Sequence, residues 1–170
     1  MATYELSGTL FADMVRGGAG NLRANAQVVN DLNVFPIPDG DTGDNMSLTM
    51  EGGDAALHGV ASESISYIAD KLAGGMLLGA RGNSGVILSQ LFAGIAKGLA
   101  GVESARAEDL GRAFQSGVKQ AYSAVLTPTE GTILTVAREA TEYAVEKITP
   151  ESTLEDFFSV FIEKMHDSLQ

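Results

Sequence analysis

The chain has 170 residues, of which 45% are hydrophobic and 19% charged, with a formal net charge of −11 and no cysteine. That length supports one domain with a real core, read as residues 1–170, and the composition is globular rather than disordered. The acidic balance excludes nucleic-acid binding without intervening metal, and the missing cysteines exclude disulfides, zinc fingers and thiol catalysis.

The opening Met-Ala-Thr-Tyr-Glu-Leu lacks the basic and apolar regions of a signal peptide. The longest apolar tract, Val86 to Ala96, contains Ser89 and Gln90 and falls short of the roughly 20 residues that a membrane span needs. The expected location is therefore the cytoplasm.

In chain order, Leu6, Leu10, Phe11, Met14 and Val15 recur at helical spacing, and Leu22, Ala26 and Val29 continue the stripe. Ser7 is the expected N-cap, with a kink at Gly17-Gly18. A loop rich in aspartate, glycine and proline leads into a second helix, Asn45 to Leu57, interrupted or ended near Gly52-Gly53. Ser62 to Leu78 is a third. Ser84 to Leu99 is a fourth, nearly apolar all round and so central. Glu108 to Leu126, Thr132 to Lys147 and Thr153 to Leu169 complete the series, with Thr153 as an N-cap and Asp156 in the first turn. No segment alternates with period two, so the fold expected is an all-α domain with short connections. Pro36, Pro38 and Pro128 lie in two loops, which they should stiffen.

The chemistry concentrates in those loops. From Ala24 to Asp70 runs a 47-residue interval with eight acidic residues and no lysine or arginine. Carboxylates without a counter-charge repel at close range, so they either splay into water or take a cation from outside. For oxygen-only ligands that cation is Mg2+, Mn2+ or Ca2+. Within it, Asp39-Gly40-Asp41 sets two carboxylates about a glycine that permits a tight turn. A solvated Asp/Gly turn is the bland alternative. An EF-hand calcium loop is ruled out, because counting from Asp39 puts Met50 where the bidentate glutamate belongs and Gly43 on a side-chain ligand position.

A second loop, Gly79-Ala80-Arg81-Gly82-Asn83-Ser84-Gly85, opens the apolar fourth helix. Free backbone N–H groups at a helix N-terminus suit an anion, and Arg81 and Ser84 add a fixed charge and a hydroxyl. It is no Walker loop, since no Lys-Ser or Lys-Thr follows at the required spacing. A plain helix–helix turn competes. A third loop, Pro128-Thr129-Glu130-Gly131-Thr132, is by itself an ordinary turn and cap. His58 and His166 stand alone and carry no ligand role. If the three loops meet at one end of a helical bundle, they form a metal–polyphosphate site.

The motifs Leu32-Asn33-Val34-Phe35-Pro36-Ile37-Pro38-Asp39-Gly40-Asp41-Thr42-Gly43 with Asn45-Met46, Gly79 to Gln90, and Glu130 to Val136 together resemble the N-terminal ATP-binding domain of bacterial fatty acid kinase. That domain is similar to the nucleotide-binding L subunit of dihydroxyacetone kinase. The resemblance runs from about Ser7 to Ala144. It implies an antiparallel barrel or bundle of about eight amphipathic helices, closed at one end around ATP or ADP and a pair of Mg2+ ions. By the same resemblance, Asp39 and Asp41 are metal ligands, and Asn33 stands at or near the place of a third family aspartate. Thr42, Gly43, Asn45 and Met46 fall where the family meets phosphates and base, Gly82, Asn83 and Ser84 on its phosphate-side glycine loop, and Thr132 near the nucleotide. Asp44 departs from the family's frequent threonine. The later Asp-Ala-Gly-Gly segment of the family site is not present before Gln170, so the chain reads as an N-terminal fragment, inactive alone, of a longer protein that dimerises through its full length.

The activity implied is ATP- and Mg2+-dependent phosphorylation of a fatty acid's carboxylate, presented by a separate lipid-binding partner protein, with Asp39, Asp41 and Arg81 as the catalytic set. The absence of a histidine or lysine base fits a carboxylate acceptor that is already ionised at neutral pH. The rivals are the nucleotide-binding part of a dihydroxyacetone kinase, a non-enzymatic ATP–Mg2+ sensor, and a plain helical interaction domain.

Overall fold

A computed structural model describes residues 2–35 and 37–170. Its eight α-helices are α1 Gly8–Ala24, α2 Ala26–Asp31, α3 Thr42–Ala56, α4 Ile65–Gly79, α5 Gly82–Gly98, α6 Ala107–Ala124, α7 Ile133–Lys147 and α8 Leu154–Ser168. Among the described residues no strand forms; one isolated antiparallel bridge pairs Leu6 with Ala105. The all-α domain expected from the periodicity, and the bundle of about eight helices that the resemblance implies, are what the chain builds. No described helix is long and apolar enough to cross a membrane.

Local chemistry starts the helices where hydroxyls stand. Ser7, Ser64, Thr132 and Thr153 each accept a backbone N–H of the following first turn, a contact worth typically about 1 kcal/mol. Asp156 returns the favour by accepting from Thr153 N at 2.8 Å. Two expectations fail near the N-terminus. Leu6 lies outside the helix, fully buried, with its backbone in the bridge to Ala105. The stripe expected to continue through Ala26 and Val29 is interrupted at Asn25, whose side-chain amide bonds the Asn21 carbonyl at 2.9 Å, while α1 runs unbroken through Gly17-Gly18. Pro36, expected to stiffen its loop, lies outside the described residues.

The core is built from fully buried Leu57, Ile65, Ile68, Leu72, Met76, Leu99, Leu110, Leu134 and Phe157. Phe114, on α6, meets Phe157 and Phe161 of α8 edge-on, with ring centroids 5.4 and 5.0 Å apart. Glycines set the closest approaches. A Cβ on Gly53 of α3 would stand 2.8 Å from Leu72 of α4, and one on Gly94 of α5 would stand 2.6 Å from Gly117 Cα of α6.

These contacts fix the chain path. Gly79 faces Leu48 and Gly75 faces Ala56, so α3 and α4 run antiparallel; Gly94 faces Gly117 and Gly98 faces Ala113, so α5 and α6 do too. Gly111 of α6 faces Val145 and Ile148, which reverses the direction again into α7. Meanwhile α5 packs directly on α3 in the same direction, through Gly82 on Asn45 and Gly85 on Thr49. The N-termini of α3, α5 and α7 therefore lie at one end of the bundle.

Candidate functional site

The acidic interval divides once folded. Glu51 pairs with Arg23 at 2.7 Å and Asp54 with Arg16 at 3.0 Å, both arginines reaching across from α1. Glu63 accepts from the Thr9 hydroxyl at 2.6 Å, which holds its carboxyl below the ordinary value, and Asp31 accepts from Gln27 at 2.7 Å. Among the described residues Asp39, Asp41 and Asp44 have no cationic partner, and these three gather at the start of α3. There the positive end of the helix dipole faces them.

Asp39 is exposed, and its Oδ1 accepts from Asn33 Nδ2 at 2.9 Å. Asp41, partly buried, is the residue before α3, and Gly40 makes the turn between the two with φ +67°. The side-chain oxygen of Asn33 is buried without any hydrogen-bond partner. An acceptor left so costs about 1–3 kcal/mol unless something electropositive meets it. One carboxylamide oxygen and two carboxylates suit Mg2+, which takes one or two carboxylates and completes its shell with phosphate oxygens and water. No three His, Cys, Asp or Glu side chains among the described residues stand close enough to cage an ion by themselves. The donor set by itself would fill only part of such an ion's shell.

The turn is held by a residue that no sequence motif marks. Asn30, on α2 and nearly buried, accepts from both Gly43 N (2.8 Å) and Asp44 N (3.2 Å), so it caps α3 from a distance. This is why α3 begins at Thr42 rather than Asn45. Gly43 lies so close to the Ala26 carbonyl that no side chain fits. It is a point of close contact between α2 and α3.

The glycine loop meets this end of α3 directly. Gly82 has φ +58°, a left-handed conformation that disfavours any side chain, and Asn45 Nδ2 fills the space where a Cβ would stand. Arg81 is exposed and its guanidinium bonds the carbonyls of Ala80 (2.9 Å) and Gly79 (3.5 Å), so its charge has no carboxylate partner among the described residues. Asn83 is exposed, and Ser84 and Met46 are partly buried nearby on α5 and α3.

The third loop is more than a bland turn. The Glu130 carboxylate accepts from Tyr122 (3.0 Å), Thr135 (2.7 Å) and Arg138 (3.1 Å). Thr135 chiefly, then Arg138 and Tyr122, hold its pKa below the ordinary glutamate value. The Thr132 hydroxyl is spent on its own loop: it donates to Thr129 O at 2.8 Å and accepts from Leu134 N. No hydrogen bond among the described residues joins this loop to the other two. It shares their end of the bundle, with α6 between α7 and α5. The first two loops are linked through α3: Asn33 bonds Asp39, Asn45 N bonds the Asp41 carbonyl, and the Asn45 side chain packs on Gly82.

The sequence profile of the DAK2 domain matches residues 36–170. An uncharacterized protein of Staphylococcus aureus (strain bovine RF122 / ET3-1) is 46% identical over 166 residues, covering 98% of this chain and 30% of the relative. A counterpart from strain USA300 is 45% identical over the same span. The chain thus spans about 30% of the length of the curated relatives it matches.

Proposed function

Because this chain belongs to the DAK2 domain family, we propose that it binds ATP with Mg2+ where α3 and α5 begin and serves as the phosphoryl-donating module of a kinase. The observation that carries this reading is that the loop of Asp39, Asp41 and the orphaned Asn33 oxygen leads into the N-terminus of α3, where Asn45 packs on Gly82 at the start of α5. Asp39, Asp41 and Asn33 would hold Mg2+, whose chemistry is to neutralise the polyphosphate and polarise the γ-phosphoryl group. The free N–H groups at the start of α5, with Arg81, would take the remaining phosphate oxygens.

The acceptor supported best is the carboxylate of a fatty acid carried by a separate lipid-binding protein. A carboxylate oxygen attacks the γ-phosphorus, the bond to the β–γ bridging oxygen breaks, and ADP leaves with that electron pair, giving an acyl phosphate. No proton moves, so no general base is required. The sequence Asn33-Val34-Phe35-Pro36-Ile37-Pro38 ahead of the aspartates supports the fatty acid branch. The family also takes in dihydroxyacetone kinases, so a small hydroxyketone is the second acceptor to assay.

The test is ATP binding by calorimetry and thermal melting with and without Mg2+. At 100 times its dissociation constant, ATP–Mg2+ should stabilise the chain by roughly 2.7 kcal/mol. Asp39→Asn and Asp41→Asn should each abolish that gain while the ligand-free melt stays level or rises slightly, since like-charge repulsion is relieved. Wild-type affinity in either variant would sink the metal assignment.

A further inference from the structure

Thr49 is fully buried on α3, one turn beyond Asn45, and its hydroxyl has two partners on two different elements. It donates to the Asn45 carbonyl at 2.7 Å and accepts from Arg81 N at 3.2 Å. Arg81 is the residue that caps α5, and its N–H has no partner within the helix. Gly85 supplies the space that the hydroxyl needs, because a Cβ there would strike Thr49 Oγ1. Gly85 N in turn bonds Arg81 O at 3.0 Å. A single oxygen therefore ties the first turn of α5 to the second turn of α3.

This tie sets an offset. With Gly82 against Asn45 and α3 starting at Thr42, α5 begins about one helical turn, ~5 Å, behind the aspartate end. We infer that Thr49 is a positioning residue that holds the α5 anion end at a fixed step from the Asp39–Asp41 loop. Metal-side and phosphate-side groups then meet one polyphosphate together. This rests on the nucleotide reading above. Nothing in the local sequence marks the residue, since its partner Arg81 is 32 positions away.

Thr49→Val keeps the shape and removes the hydroxyl; Thr49→Ser keeps the hydroxyl. In the ligand-free chain, amide exchange at Arg81 should quicken about tenfold in Thr49→Val, with α6–α8 as protected as before. The Kd for ATP–Mg2+ by calorimetry should weaken about tenfold in the same variant. Thr49→Ser should return both to within about twofold of wild type. Should Thr49→Val fail to fold, Thr49→Ala carries the same expectation without setting a methyl against the Arg81 N–H. A Thr49→Val chain with wild-type Kd overturns the proposal, as does a loss that serine does not restore or an exchange increase spread evenly through the bundle. If the wild-type chain itself binds no ATP–Mg2+, the nucleotide reading falls and takes this role with it; a binding wild type beside an indifferent Thr49→Val sinks the positioning role alone.

Discussion

Glu130 illustrates how an exposed carboxylate is made to organise a loop. Three donors converge on it, and together they keep it ionised to lower pH than an ordinary glutamate, whose value is 4.5. Arg138 responds in the opposite direction: its bonds to Tyr122 and Glu130 hold the guanidinium more firmly protonated than usual. Because the folded pKa of Glu130 is depressed, its contribution to stability is fully present above the unfolded value and is lost as pH falls through the folded one. Glu130→Gln should therefore melt below wild type at pH 6, and the gap should close on acidification below 4.5. A gap that persists unchanged to pH 3 would show that the charge is irrelevant and only the amide-compatible contacts count. Water screens these groups, so the difference is expected to be small.

At the scale of helices, glycine serves two opposite purposes in this chain. Gly17, Gly18 and Gly20 on α1 face open space, with nothing near the position a Cβ would take. Alanine at Gly17 or Gly18 should stabilise the chain by about 0.5–1 kcal/mol, since the helix is kept and the unfolded chain loses freedom. Gly75 of α4 is the reverse case: a Cβ there would press on the Gly52 carbonyl and stand 2.6 Å from Ala56 Cβ. Gly75→Ala should destabilise by about 1–3 kcal/mol. Urea unfolding of both variants checks the contrast, and equal effects would overturn it. The same distinction explains what could be read from the sequence. Helical spacing and hydroxyl caps located α4 to α8 to within a few residues, and the Asp/Gly composition marked the loops that matter. For the pair Gly17-Gly18, the sequence does not say which face it occupies, and here both positions look onto open space. The start of α3 was misplaced because its cap, Asn30, lies 13 positions before the amide it meets. The ties through Thr49 and Glu130 were illegible for a like reason: spacing reports one helix at a time, and these bonds join several.

Across the whole molecule, the segment before α1 stitches distant parts together. Leu6 is fully buried and pairs with Ala105 through 2.8 and 3.0 Å backbone bonds. Thr3 receives the Leu154 N–H at 2.8 Å and bonds the Glu155 carboxylate through both its hydroxyl (2.8 Å) and its N–H (3.1 Å). Leu6→Ala should cost about 2–5 kcal/mol, a core truncation with little room to relax. Denaturant unfolding measures it, and a loss below about 1 kcal/mol would show that the segment is ornamental. Beside this seam, Leu10 and Met14 of α1 face Leu154, Phe158 and Ile162 of α8 across an apolar groove of about 710 Å3. Thr3 and Glu155 are 152 positions apart, so the two sides of the seam are made at very different times. Translation at roughly 5–20 residues per second leaves this opening segment waiting on the order of ten seconds or more before its last partner emerges from the ribosome. Through that interval α1 rests on α2, α3 and α4, so the half of the molecule that carries the aspartate and glycine loops can take shape before the seam closes.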